Sequence, residues 1–348
     1  MSEPYRVSLA MIVRDEARCI TRCLESVRDH VDEMVVVDTG STDTTVQLAR
    51  DAGAIVHHTA WVDDFAAARN VSLEHCSGDW ILMLDADDWL EDGAEVLEAL
   101  RSTAPTYAGI VEIVGRTRGD VVSTSPSIRV FPAGTRYAGR VHEQPQLEVE
   151  ERALAIRIAT DGYQAEQLER KVGRNQRLLE MALVEDPENA YLWYQLAREH
   201  GHAGAHAAAC LGFERANQLD GPTRPDSPPW RHGLVVQYVA SLLLAGRTQD
   251  AVDLAADELP HWEHSSDFLY VLGHALNQHA LAHPEIAEQV LPMAEEAWQT
   301  CLALGDARLV GSIEGHGSYL AARELVGLYE RQGREQDAER VRPLAVRQ

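Results

Sequence analysis

The chain has 348 residues, of which 45% are hydrophobic, so it is long enough to form two domains with separate cores. Its 55 acidic residues outnumber the 31 basic ones, and the net charge of −24 argues against nucleic acids and anionic membranes as partners. The N-terminus lacks a basic-then-apolar signal pattern and no apolar run reaches membrane-spanning length, which predicts a soluble, cytoplasmic protein. The five cysteines lack paired CxxC spacing and are predicted to be reduced thiols.

The first 115 residues alternate short β-branched runs with helical hydrophobic patterns. The strands predicted in this part are Val7–Val13, Met34–Val37, Ala54–His57 and Trp80–Leu84. The helices predicted between them are Glu16–His30, Thr45–Asp51 and Phe65–His75. This alternation predicts a mainly parallel sheet with crossover helices. The later segments predicted to be extended are two strands and a β-ribbon, at Ile110–Val114, Ile128–Phe131 and Gln146–Ala159.

From about Gln164 onward the sequence is rich in Ala, Leu and Glu and has a continuous helical pattern. Within it, a pair of a large and a smaller residue is followed seven residues later by Gly and five residues after that by Ala. The three segments with this spacing are Leu196-Ala197 with Gly204 and Ala209, Tyr238-Val239 with Gly246 and Ala251, and Leu325-Val326 with Gly333 and Ala338.

This spacing resembles the tetratricopeptide repeat, in which small residues lie where the two helices of a repeat approach closely. Leu272-Gly273 begins a further, irregular unit, and the proline-rich segment Gly221–Trp230 is predicted to be a loop between repeats. The alternative is a generic helical bundle. We therefore predict an α/β domain over residues 1–160 and an all-α, tetratricopeptide-like domain over residues 161–348.

Three carboxylates follow the apolar run of the fourth predicted strand, in the sequence Asp85-Ala86-Asp87-Asp88. Because burying unpaired carboxylates is costly, such a cluster needs a counter-charge, and a divalent cation shared with a diphosphate can supply it. In an extended backbone Asp85 and Asp87 point to the same side, so that one could bind the cation and the other ribose hydroxyls or a metal-bound water. Asp88 would face differently, towards an acceptor. The alternative is a solvated acidic loop.

The first two strands also end in polar residues. Asp38, followed by Gly40 and Ser41, could accept hydrogen bonds from a nucleotide base or ribose, or could cap an ordinary strand-to-helix turn. The end of the first strand, with Arg14, is expected to lie beside Asp38 across the sheet.

The third helix begins with a predicted cap and carries an arginine. Asp64 is expected to cap the helix that starts at Phe65. One turn later, Arg69 could offer its planar guanidinium to a diphosphate or a base carbonyl. Alternatively, Arg69 could form a salt bridge with Asp64 or Glu74.

A histidine, an arginine and a carboxylate come together in the predicted loop Gly139–Gln144. His142 is the best third metal ligand, because an imidazole is largely neutral at pH 7 and suits manganese. Glu143 is the first candidate for a general base and Asp88 the second, since a base must come within hydrogen-bond reach of the acceptor proton.

Residues 5–145 resemble the family 2 glycosyltransferases of the GT-A fold. The motifs that carry the resemblance are Met11-Ile12-Val13-Arg14-Asp15-Glu16, Val37-Asp38-Thr39-Gly40-Ser41-Thr42-Asp43, Asp64-Phe65 with Arg69-Asn70, and Asp85-Ala86-Asp87-Asp88. With the tetratricopeptide-like region, the layout is similar to that of the bacterial enzymes that glycosylate Cys or Ser of bacteriocin peptides, the sublancin-type glycosyltransferases.

The resemblance implies a Rossmann-like GT-A fold, a nucleoside-diphosphate sugar donor and Mg²⁺ or Mn²⁺. By motif, Asp38 would bind uracil, Arg69 the base or phosphate, Asp85 the ribose or the metal, and Asp87 the metal with His142. The further residues expected to contact the donor through these motifs are Val13, Arg14, Glu16, Ser41, Asp64 and Ala86.

The expected function is metal-dependent, inverting transfer of a hexose from UDP-glucose or UDP-N-acetylglucosamine to Cys or Ser of a peptide acceptor. A first alternative is a glycosyltransferase with a polysaccharide or lipid-linked acceptor, although the chain lacks a hydrophobic or basic membrane-facing segment. A second is a tetratricopeptide interaction scaffold whose transferase domain is inactive. The helical repeats could also support a homodimer.

Overall fold

The computed structural model describes residues 3–117, 120–161, 173–307, 309 and 312–347, without the side chains of 116–117 and 120–123. The chain divides into two compact units, Met1–Leu178 and Leu179–Gln348. We predicted a domain boundary between residues 160 and 161 and a helical region from about Gln164, and residue 164 lies outside the described residues.

The first unit is built on an eight-stranded mixed sheet with the order β3-β2-β1-β4-β7-β6-β10-β5. Its strands are β1 Val7–Val13, β2 Glu33–Asp38, β3 Ile55–His58, β4 Trp80–Met83, β5 Asp88–Asp92, β6 Tyr107–Thr117, β7 Asp120–Pro132 and β10 Glu150–Thr160. Two short strands, β8 Arg136–Ala138 and β9 Gln144–Gln146, pair with each other. The helices of this unit up to residue 161 are α1 Ile20–Val27, α2 Thr45–Asp51, α3 Phe65–His75 and α4 Ala94–Leu100.

The four strands β3, β2, β1 and β4 are parallel to one another, as the alternation of strands and helices predicted. Their registers pair Val13 with Asp38 and Ala10 with Met83. Parallel strands joined by crossover helices end at the same edge of the sheet. The polar segments that follow β1, β2 and β4 therefore start from one edge.

The helix predicted over Glu16–His30 is wrong at its start, because α1 begins only at Ile20. The backbone amides of Asp15 and Glu16 donate to the Ser41 and Thr45 hydroxyls, at 2.9 and 2.7 Å. Asp15 also has a positive φ of 55°. Contacts with Ser41 in the loop before α2 and with Thr45, the first residue of α2, thus hold this segment in a non-helical conformation.

Three further elements differ from the sequence prediction. Strand β5 and helix α4 were missed, since they follow the acidic motif closely and are short. The ribbon predicted over Gln146–Ala159 is wrong, because β10 joins the main sheet, parallel to β6 and antiparallel to β5. Alternation of apolar and polar residues shows that a strand is half-buried but does not identify its neighbours.

The second unit consists of antiparallel helix pairs in its described residues. Helix α5, Arg174–Glu185, contains the division between the two units. The helices that follow it are α6 Ala190–His202, α7 His206–Asp220, α8 Arg231–Leu244, α9 Thr248–Trp262, α10 Ser266–Ala282, α11 Ala287–Leu304, α12 Tyr319–Arg331 and α13 Glu335–Val341. In the described ranges no helix has the length and hydrophobicity that crossing a membrane requires.

The repeated glycines and alanines have the positions that the spacing predicted. Gly204, Gly246 and Gly333 turn between the paired helices with φ of 74°, 75° and 69°, a conformation that favours glycine. The alanines that follow them, Ala209, Ala251 and Ala338, are fully buried. The glycine turns and the buried alanines support the tetratricopeptide-like pairing of α6 with α7, α8 with α9, and α12 with α13.

The irregular unit pairs α10 with α11 through a glycine and a tryptophan. A Cβ added at Gly273 would lie 2.4 Å from Nε1 of Trp298, whose side chain is fully buried. We expect Gly273→Ala to lower the free energy of unfolding by about 1–3 kcal/mol, because overpacking outweighs the better helix propensity of alanine. Urea unfolding followed by circular dichroism would measure this change.

The matched control is Gly201→Ala in α6, where an added Cβ would meet no atom within 4 Å. This substitution is expected to leave stability unchanged or to raise it by about 0.5–1 kcal/mol. Equal effects of the two substitutions would contradict close packing of Trp298 on Gly273.

Candidate active site

A pocket of about 340 Å³ opens at the edge where β1 and β4 end. This volume is in the range of small-molecule binding sites. The predicted site residues that line the pocket are Val13, Arg14, Glu16, Arg69, Asp85, Ala86, Asp87, His142 and Glu143. Two aromatic residues also line it, Trp61 and Phe65, whose rings meet edge to face with centroids 4.8 Å apart.

The acidic motif forms a turn rather than an extended strand. Strand β4 ends at Met83, and the amide of Asp88 donates to the carbonyl of Asp85 at 3.0 Å. The extended backbone that we predicted for Asp85 and Asp87 is therefore wrong, although both residues line the pocket. The turn forms because Asp88 belongs to the next strand, β5, which runs elsewhere in the sheet.

Five charged side chains of alternating sign are linked at the pocket, three of them in its lining and two outside it. Arg69 donates from Nε to Oε1 of Glu143 at 2.5 Å and from Nη2 to Oδ1 of Asp85 at 2.7 Å. Arg129 then donates from Nη2 to Oδ2 of Asp85 at 3.2 Å and lies 3.5 Å from Oδ2 of Asp88. The linked series is therefore Glu143, Arg69, Asp85, Arg129 and Asp88, and we call it the charge chain.

Burial and pairing have opposite effects on the two aspartates of the charge chain. Burial alone would raise the pKa of Asp85, but the guanidinium groups of Arg69 and Arg129 hold that pKa well below its ordinary value. Burial raises the pKa of Asp88 above its ordinary value despite Arg129, and the charge of Asp85 adds to this effect. Asp85 is thus held ionised, with both of its oxygens bound to arginines.

Arg69 keeps one donor available at the pocket. Its side chain is 9% exposed, and Nη1 has no hydrogen-bond partner among the described residues. A buried guanidinium nitrogen without an acceptor is unfavourable, so this atom suits an anionic or carbonyl oxygen of a ligand. The salt bridge considered for Arg69 with Asp64 or Glu74 is wrong, because its partners are Asp85 and Glu143.

Four of the predicted site residues do not line the pocket. Asp38 accepts hydrogen bonds from the amides of Gly40 and Ser41, at 3.2 and 3.0 Å, so it caps the turn after β2. The hydroxyl of Ser41 accepts from the amide of Asp15. The expected contact of Asp38 with a nucleotide remains a prediction.

The other two residues outside the pocket lining lie on α3 and β5. Asp64 caps α3, as predicted, by accepting from the amide of Ala67 at 2.8 Å. Asp88 is 2% exposed, and its Oδ2 accepts from the amide of Asp85 at 3.1 Å. Asp88 therefore lies behind the turn and supports it.

The predicted metal ligands are only partly gathered. Considering the described residues alone, no three His, Cys, Asp or Glu side chains already form a group that could hold a metal ion. Asp87 and His142 both line the pocket, and a carboxylate with an imidazole is a donor set that suits Mn²⁺. These two residues fit a cation whose remaining ligands come with a bound substrate.

Arg129 was missed from the sequence. It lies inside a predicted strand whose register in the sheet cannot be read from its own residues, and its partners Asp85 and Asp88 lie more than forty positions earlier. Trp61, which lines the pocket, was missed as well. No local sequence signal separates these two residues from ordinary strand and loop residues.

A mixed sheet with an acidic turn at the end of a central parallel strand is the architecture of the GT-A glycosyltransferases. Residues 8–146 match the family model of Glycosyl transferase family 2. Residues 8–146 of the N-terminal unit are therefore a segment that matches glycosyltransferase family 2, and the predicted fold, GT-A followed by a tetratricopeptide-like helical region, is confirmed.

Two curated relatives are similar to part of this chain. The TPR repeat-containing protein Synpcc7942_0270 of Synechococcus elongatus is 38% identical over 215 residues, which cover 55% of this chain and 51% of the relative. The SPbeta prophage-derived glycosyltransferase SunS of Bacillus subtilis is 27% identical over 216 residues, covering 57% of this chain and 50% of the relative. The chain thus spans about half the length of the curated relatives it matches.

Among solved structures, glucosyl-3-phosphoglycerate synthase from Mycobacterium tuberculosis, in complex with Mn²⁺, uridine diphosphate and glucosyl-3-phosphoglycerate, is 24% identical. The match covers 32% of this chain and 44% of that chain, with a TM-score of 0.27. A similarity this low supports no statement about the ligands of the present chain.

Proposed function

We propose that this chain is a metal-dependent, inverting glycosyltransferase that moves a hexose from a UDP-sugar to Cys or Ser of a peptide acceptor. The family 2 domain supports glycosyl transfer, and its donors are nucleotide sugars. The proposed donor is UDP-glucose or UDP-N-acetylglucosamine, as the sequence resemblance implies.

The observation that carries the proposal is that Arg69 and Asp87 line the same pocket. Arg69 offers the buried Nη1 donor to a phosphate or base carbonyl. Asp87 offers a carboxylate that a divalent cation can share with the diphosphate. A nucleotide diphosphate could accept from Nη1 of Arg69 and share a cation with Asp87 at the same time, whereas a neutral sugar carries no anionic oxygen for either role.

Asp87 and His142 would hold the cation. Asp85 was also predicted to be a metal ligand, but both of its oxygens accept from arginines, so we assign it to positioning Arg69 instead. When bound, Mn²⁺ or Mg²⁺ would offset the negative charge that develops on the leaving diphosphate.

Glu143 is the proposed general base. It lines the pocket and is oriented by Arg69, while Asp88 lies behind the turn, away from the pocket lining. Glu143 would accept the proton of the acceptor hydroxyl or thiol as the oxygen or sulfur forms a bond to the anomeric carbon. The bond from that carbon to the diphosphate breaks in the same displacement, which inverts the anomeric centre.

The helical unit supports a peptide as acceptor, because tetratricopeptide arrays commonly bind peptides. The 38% identical relative from Synechococcus elongatus is named a TPR repeat-containing protein. A thiol acceptor needs less activation than a hydroxyl, since its pKa lies nearer to neutral pH. A homodimer through the repeats and a cytoplasmic location remain predictions from the sequence.

The test is calorimetric titration of the full chain with UDP, with and without Mn²⁺, followed by donor turnover and NMR of the product. We expect UDP to bind only with Mn²⁺, a chelator to stop turnover, and the product to have an inverted anomeric centre. A retained centre would rule out single displacement.

Further outcomes separate the competing functions. Absence of UDP binding would leave the interaction scaffold as the remaining function. Donor hydrolysis without transfer to Cys- or Ser-containing peptides would overturn the peptide acceptor and favour a polysaccharide or lipid-linked one.

A further inference from the structure

Arg129 lies at a β-bulge beside the acidic turn. On one side, β7 is antiparallel to β4, with Val130 paired to Leu82, so Arg129 is nearest to the end of β4 from which the turn starts. On the other side, β6 pairs Gly109 with Val130 and Ile110 with Ile128, which leaves Arg129 without an opposite residue. Bulges of this kind redirect a side chain and are frequent next to active sites.

The redirected guanidinium bridges the two ends of the acidic turn. Arg129 contacts Asp85 at 3.2 Å and Asp88 at 3.5 Å, and its side chain is 16% exposed. These two residues are the first and the last of the turn, of which Asp85, Ala86 and Asp87 line the pocket. The carbonyl of Asp87 also accepts from the amide of Asp161 at 3.3 Å, so the turn is held from two directions.

We propose that Arg129 is a positioning residue that holds the Asp85–Asp88 turn so that Asp87 is presented to the donor-bound cation. This inference rests on the proposed function. Arg129 does not line the pocket and acts through Asp85 and Asp88. Nη2 of Arg129 makes both contacts, so one charged nitrogen lies between the two carboxylates, and the planar guanidinium group holds it there.

The predicted consequence is a change in metal requirement. Mutation of a residue that orients a metal ligand without touching the metal typically lowers metal affinity or activity by about 10- to 100-fold. We expect Arg129→Gln to raise the Mn²⁺ concentration for half-maximal UDP binding by about this factor, while saturating Mn²⁺ restores part of the binding. Arg129→Lys should lie between this variant and the wild type.

Two further variants keep the test decisive. Arg129→Gln leaves the buried Asp88 without its counter-charge. The double variant Asp88→Asn/Arg129→Gln removes both charges. The side-chain oxygen introduced by Asp88→Asn can still accept the hydrogen bond from the backbone amide of Asp85. Arg157→Gln is the matched control, because Arg157 is an exposed arginine of the same sheet that pairs with Glu112. It should leave the Mn²⁺ requirement unchanged.

The experiment measures UDP binding against Mn²⁺ concentration by calorimetry and thermal unfolding of each variant. A raised Mn²⁺ requirement in both the single and the double variant, with native circular dichroism in the double variant, supports the inference. An unchanged requirement with only a lower melting temperature overturns it and leaves the proposed function standing. If the wild-type chain fails to bind UDP with Mn²⁺, the proposed function falls and this inference with it.

Discussion

Asp87→Ala is expected to reduce metal-dependent turnover of the UDP-sugar by about 100- to 1000-fold, the rate equivalent of several kcal/mol of lost charge stabilisation. Asp87 lines the pocket, whereas the neighbouring aspartates are engaged with arginines. Its removal should therefore affect the cation more than the fold. Initial rates of UDP release at a series of Mn²⁺ concentrations would measure the effect.

Asp29→Asn is the matched control for this substitution, since the side chain of Asp29 is 84% exposed and lies away from the pocket lining. Its turnover should equal that of the wild type. Turnover of Asp87→Ala within a factor of two of the wild type, at any Mn²⁺ concentration, would remove Asp87 from the metal site.

Arg69→Gln is expected to have the largest effect on stability, together with loss of UDP binding. Arg69 and Glu143 are 9% and 11% exposed, and the substitution leaves Glu143 and Asp85 without their shared counter-charge. Breaking a buried ion pair from one side costs about 3–5 kcal/mol. Urea unfolding would give the change in free energy, and calorimetric titration with UDP and Mn²⁺ would give the change in binding.

A second substitution distinguishes the two roles of Arg69. Arg69→Gln/Glu143→Gln removes the uncompensated carboxylate, so it should recover part of the lost stability. UDP binding should stay weak, because the Nη1 donor is still missing. Recovery of both properties together would mean that Arg69 contributes to binding only through the fold.

Arg136→Gln is the matched control for Arg69→Gln. Arg136 pairs with Glu74 at 3.9 Å, and both side chains are about half exposed. Surface pairs of this kind contribute about 0–1 kcal/mol. A loss of stability comparable to that of Arg69→Gln would contradict the importance of burial for the charge chain.

The sequence predicted the elements whose signals are local. Strand β1 and helices α2 and α3 were predicted to the residue, because hydrophobic periodicity and, for α3, the Asp64 cap mark their ends. The predicted start of α1 was wrong, because the backbone amide of Asp15 donates to the hydroxyl of Ser41, which lies 26 residues away in the chain. A local pattern cannot include a partner so distant in the chain.

For the candidate site, sequence alone indicated which residues share a pocket. The carboxyl ends of parallel strands meet at one edge, and nine of the thirteen predicted residues line the pocket. The sequence also determined the chemical types present there: carboxylates, a guanidinium group and an imidazole.

Only the tertiary structure decided how those groups are paired. Arg69 binds Asp85 and Glu143, which are 16 and 74 positions away, and Arg129 reaches the acidic turn across the sheet through a bulge. Ion pairing depends on separations of a few ångströms and on burial, and both are set by strand order and register. The amino-acid sequence thus determined the composition of the pocket, and the sheet determined which of its carboxylates are neutralised by arginine.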